Sequence, residues 1–75
     1  MESHVDFEAR LRSASEFAPS LIGHRRDAAV QMVRARGFEP KVLPASVEAV
    51  TADLDSRRVR LFVDANDVVV QALAG

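Results

Sequence analysis

The chain has 75 residues, with ten Lys or Arg against eleven Asp or Glu and no cysteine. That length supports one small domain, burying only about 60% of its unfolded surface. It has no disulfide staple, no thiolate nucleophile and no thiolate metal ligand. A net charge of −1 excludes the strongly basic face of a nucleic-acid binder, and no apolar run approaches the about 20 residues of a membrane-spanning helix.

The amino-terminal segment MESHVDFEARLRS is too polar and acidic for a secretory signal, so the chain is expected to be cytoplasmic or already processed. Ser3 to Phe17 is predicted as a helix. Ser3 stands as N-cap with Asp6 three residues on, a capping-box pattern, and Phe7, Leu11 and Ala14 share one face. Asp6 with Arg10 and Glu8 with Arg12 are i, i+4 pairs, worth a few tenths of a kcal/mol each. So short a helix is marginal alone. It must pack on the domain, bind a partner or fray, and self-association through Phe7, Leu11 and Phe17 is one expected outcome. Pro19 stops it.

Gly23 marks a turn, and Arg25 to Arg36 is the second and main helix. Ala29, Met32 and Val33 lie along one side of it. Gly37 follows as a natural C′ residue, with Arg34 and Arg36 favourable at the carboxyl end of the dipole. Its start is weaker, because neither His24 nor Arg25 is a preferred N-cap; Asp27 in the first turn partly compensates. Phe38 to Pro40 is a connection and Lys41 to Leu43 a short strand ended by Pro44. Ala45 to Ser56 is a loop of about a dozen residues, near the length at which an unstructured connection in a compact domain has a function.

Arg58 to Val63 alternates as a strand with Val59, Leu61 and Val63 on one buried face. Arg58 and Arg60 then share the opposite face. Asp64 to Asp67 is turn-forming, and Val68 to Leu73 is the last strand. The order predicts an α+β fold: a small mixed β-sheet packed by one main α-helix, with a long exposed binding loop and an extra N-terminal helix. The first two strands run parallel and the last returns antiparallel. Met32, Val33, Val42, Val59, Leu61 and Val63 form the predicted core.

Enzyme chemistry is missing from this pattern. Ser13, Ser15, Ser20, Ser46 and Ser56 have no nucleophile-elbow setting. There is no glycine-rich phosphate loop. His4 and His24 have no carboxylate cluster at metal spacing, so neither metal nor cofactor is expected. The informative stretch is Val50 to Asp64, VTADLDSRRVRLFVD. Two guanidinium groups aimed back at the preceding loop would fix its shape, and a rigid exposed loop on a small scaffold is what a tight-binding peptidase inhibitor requires. The plainer alternatives are a solvated strand face for the two arginines and an ordinary surface loop.

The block RVRLFVD at Arg58 to Asp64 stands eight residues after Val50-Thr51. Leu43-Pro44 leads into the loop, and Phe17-Ala18-Pro19-Ser20-Leu21-Ile22-Gly23 stands upstream. In this order and spacing, these segments resemble the potato inhibitor I family of serine-peptidase inhibitors. The resemblance runs from about Phe17 to Gly75. It implies a domain over residues 17–75 and a helical extension over residues 1–16. It also implies a reactive-site loop Val50, Thr51, Ala52, Asp53 and Leu54, with Val50 at P3, Thr51 at P2, Ala52 at P1 and the reactive bond at Ala52–Asp53.

On the same resemblance, Thr51 and Asp53 interact with the supporting Arg58 and Arg60. These are expected to be partly exposed pairs that add little to global stability but fix loop shape. The implied partner is a serine peptidase with a small S1 pocket, as in elastase-like enzymes, or a subtilisin-like enzyme. The segment Pro44 to Thr51 is one residue longer than is typical of the family, which leaves P1 open by one residue either way. Asp55 and Ser56 stand where a basic and a larger apolar residue are frequent. The alternative from another class is a non-inhibitory protein-binding module on the same scaffold.

Overall fold

The computed structural model describes residues 4–47 and 55–75. Helix α1 is His4–Phe17, followed by a 3₁₀ helix at Ala18–Leu21; α2 is Arg26–Ala35. The strands are β1, Glu39–Pro44; β2, Arg58–Val63; and β3, Val69–Ala74. The sheet order is β1-β2-β3, with β1 parallel and β3 antiparallel to β2. This is the predicted α+β arrangement. The proposed Ser3 cap lies outside the described residues.

Strand β1 is longer than the expected Lys41 to Leu43 and takes in Glu39 and Pro40, read from sequence as connection. Pairing decides this: the Glu39 N–H donates to the Arg57 carbonyl at 2.6 Å, and Glu39 and Pro40 stand opposite Arg58 and Val59. Two prolines are tolerable here because β1 is an edge strand.

Helix α2 has Arg25 as N-cap without a side-chain hydrogen bond, as its sequence implied. Tertiary contacts supply what the cap lacks. The Arg26 N–H donates to the Asp67 carbonyl at 2.7 Å, and the Val69 N–H donates to the His24 carbonyl at 2.9 Å. Arg25 and Val68 form an isolated antiparallel bridge. The β2–β3 turn thus satisfies one of the orphan donors at the start of α2, the Arg26 N–H, and pins the residues before it. Asp64 shapes that turn: its Oδ1 accepts the N–H groups of Asn66 at 2.8 Å and Val68 at 3.1 Å. Asp67 sits at φ 61°, a left-handed conformation that Asp tolerates.

One continuous core lies on the helix side of the sheet. It joins Ala14, Phe17, Ala18, Leu21, Ala29, Val33, Phe38, Val59, Leu61, Val69 and Ala72. Of the predicted core, Val33, Val59 and Leu61 are fully buried, and Met32, Val42 and Val63 are partly buried against them. Helix α1 is docked on the body. Ala14 and Phe17 are buried, Phe7 and Leu11 half-buried. The Phe17 ring stacks on Phe38 with centroids 6.4 Å apart, and the Arg36 guanidinium stands 4.6 Å over the Phe17 ring. Among the three fates of a marginal helix, packing on the domain is the one observed.

Strand β2 departs from the expectation of a single buried face. Phe62, on the side opposite Val59 and Leu61, is 1% exposed, and Arg60 is 7% exposed. Both faces of β2 are therefore dry, as befits the central strand of the sheet.

Candidate functional site

The connection between β1 and β2 spans residues 45–57, and its two roots are described. At the proximal root the Ala45 N–H donates to the Val63 carbonyl at 2.8 Å, and the Val47 N–H to the Pro44 carbonyl at 3.1 Å. At the distal root the Arg58 N–H donates to the Asp55 carbonyl at 3.1 Å. The Asp55 carboxylate accepts the Arg57 N–H at 2.9 Å. Each root is thus closed by a hydrogen-bonded turn. The local reason at the distal root is Asp55, whose short carboxylate bonds its own backbone two residues on.

The expected reactive residues Val50, Thr51, Ala52, Asp53 and Leu54 lie outside the described residues. The two arginines do not. Arg58, at the first position of β2, is half-buried, and its Nε donates to the Gly75 carbonyl at 2.8 Å. The Gly75 N–H returns a bond to the Arg58 carbonyl at 3.0 Å. The residue after β3 therefore orients Arg58, a contact with no signal in the sequence.

Arg60 corrects an expectation. It was expected to be partly exposed, and a solvated strand face was the plainer reading; at 7% exposure it is neither. Lys41 and Leu73 flank it in register. A buried cation inside a paired strand requires an anion or carbonyl oxygens nearby.

A cleft of about 520 Å³ opens beside the proximal root, with Arg26, Leu43, Ser46 and Asp64 among its lining residues. Its cation is engaged elsewhere, since Arg26 approaches Asp27 at 3.6 Å and Asp67 at 4.0 Å. Neither His nor Cys lines the cleft. His24 is exposed, and no group of potential metal ligands occurs among the described residues. No helix among them is long and apolar enough to cross a membrane.

The described residues form a small mixed sheet with its helices on one face and a long connection rooted at both ends of its parallel pair. The family model of the potato inhibitor I family matches residues 19–72. The chain belongs to that family; it is a serine-peptidase inhibitor and not an enzyme. Among solved structures, the elastase inhibitor AFUEI is similar in fold. Its TM-score is 0.59 at 20% sequence identity, covering 93% of this chain and 100% of that one. That share requires most of α1, which has 14 residues, to join the superposition. A search of curated proteins gave no match.

Proposed function

We propose that this chain inhibits serine peptidases as a substrate-like ligand. Residues 50–54 lie along the enzyme cleft and the Ala52–Asp53 peptide bond is offered to the catalytic serine. The observation that carries this reading is the placement of the roots. They sit at opposite ends of a six-residue parallel pair, roughly 17 Å apart at about 3.3 Å per residue. The connection is tethered at both ends by pinned turns, and in this proposal it offers the extended segment that peptidases accept as substrate. Tethering lowers the ordering cost of binding and keeps the cleaved ends together, so that religation competes with hydrolysis.

Arg58 and Arg60 supply the side-chain support in this proposal, with Thr51 and Asp53 as their partners. Burial of Arg60 favours a fixed guanidinium, which orders a carboxylate through two parallel hydrogen bonds. The small side chain of Ala52 favours enzymes with a shallow S1 pocket, elastase-like or subtilisin-like. Titration of elastase-, subtilisin-, chymotrypsin- and trypsin-like peptidases is expected to give tight inhibition of the first two and weak inhibition of the last. No inhibition of any of the four at micromolar protein would reject the proposal.

The arginine pair provides a sharper check. Arg60→Met keeps an unbranched stem in the same space and removes the charge. Stability is expected to stay within about 1 kcal/mol of wild type or to rise, since a buried cation is costly to hold. Inhibition is expected to weaken by roughly tenfold, the factor that about 1.4 kcal/mol gives. Urea melts alongside inhibition constants separate the two effects, and unaltered inhibition would remove Arg60 from the supporting set.

A further inference from the structure

Helix α1 precedes the segment matched by the family model, which starts at residue 19, yet it reaches the inhibitory loop. The Arg10 Nη1 donates to the Ser56 Oγ at 3.3 Å across 46 residues of sequence. Ser56 is the second residue of the distal-root turn and is 4% exposed. A loop-root serine so thoroughly buried has lost its water, and a cationic donor from another element replaces it.

The helix that carries Arg10 is not free to swing. Ala14, one turn further on, is fully buried in the core. Phe17 is buried and touches both the Phe38 ring and the Arg36 guanidinium. Arg10 is thus mounted on a fixed rod. Ser56 lies between Asp55, whose carboxylate and carbonyl close the turn, and the strand that begins at Arg58.

From this we propose that α1 is a strut for the distal root of the loop. Arg10 and Ser56 are positioning residues for inhibition: they touch no peptidase but hold the carboxyl side of the reactive bond in place. The inference rests on the loop reading above and extends it to an element outside the matched segment. The root is then fixed from two directions, by α1 through Ser56 and by the end of β3 through Arg58 and Gly75. A loop held on one side only would let the primed-side product drift away after cleavage; the strut opposes that drift.

The test uses Arg10→Ala, Ser56→Ala and the double variant in the full chain, with Arg12→Ala as control, since Arg12 is exposed on the same helix. Two quantities are read. One is the inhibition constant against a subtilisin-like peptidase. The other is amide hydrogen exchange at Arg57 and Arg58, whose N–H groups both bond to Asp55.

Each single variant is expected to raise the inhibition constant about tenfold and to speed exchange at Arg57 and Arg58. The double variant should be no worse than either single one, and exchange in α2 and Arg12→Ala should match wild type. Unchanged exchange at the root overturns the strut. So does uniformly faster exchange that includes α2, since α1 would then contribute only general stability. So do additive effects in the double variant. If the wild-type chain inhibits nothing, the loop reading fails on its own, while the exchange data still decide whether Arg10 holds the root.

Discussion

Replacing Ala52 with Arg is expected to move inhibition toward trypsin-like peptidases by on the order of a hundredfold or more, with a comparable loss against elastase-like enzymes. The reasoning is local to one pocket. A P1 side chain is the anchor that a peptidase buries most completely, and buried anchors of this kind dominate binding energy. A methyl group fills a shallow S1 site and leaves a deep acidic one empty. A guanidinium pairs with the acid at the base of a trypsin-like pocket and cannot enter a shallow one. A P1 side chain that meets only the enzyme should change stability in urea melts by no more than about 0.5 kcal/mol when replaced. Inhibition constants for both variants against the four enzyme classes measure the shift. The same substitution at Thr51 and at Asp53 fixes the register, because only the true P1 position produces the exchange of specificity. Flat profiles at all three would place the reactive bond elsewhere.

Phe62→Ala is expected to cost about 3–5 kcal/mol, the range for truncating a fully buried aromatic. For a chain of this length the whole stability is roughly 4–11 kcal/mol, so the variant should sit near its unfolding midpoint at room temperature or melt at least about 15 °C below wild type. The prediction bears on function because Phe62 lies on the Arg58 and Arg60 side of β2, away from the helix-side core. A large cost means that the arginine face is a second packed layer and that the loop support is built into the fold. A cost below about 1 kcal/mol would mean that this face is solvated. Val70→Ala is the contrast: at 46% exposure, beside the irregular pairing of Val63 with Val69, it should be nearly silent.

The parts of this fold that were legible in the sequence are those set by short-range patterns. The 3.6-residue spacing of Ala29 and Val33, the glycine at 37, and the alternation of Val59 and Leu61 located α2 and β2 to within a residue. The mixed sheet followed, since a dozen-residue connection permits parallel neighbours and a tight turn forces antiparallel ones. The motif block after Val50 pointed to a loop braced by the arginine pair; of these, Arg58 and Arg60 lie among the described residues and residues 50–54 do not. What failed was burial on the far side of β2. Alternation reports polarity, and an arginine reads as solvent whether or not the fold encloses it.

Sequence by itself determined the class of fold, the order of its elements and the family, because each rests on residue spacing along the chain. Tertiary structure alone decided what holds those elements in place. Asp67 completes the start of α2, Gly75 orients Arg58, Arg10 reaches Ser56, and Arg60 is enclosed. Such contacts join residues far apart in the chain, 17 positions for Arg58 with Gly75 and 46 for Arg10 with Ser56. Contacts of that kind form when the hydrophobic face of each element is buried against its neighbours, and a polar group then takes whichever partner the packing brings within reach.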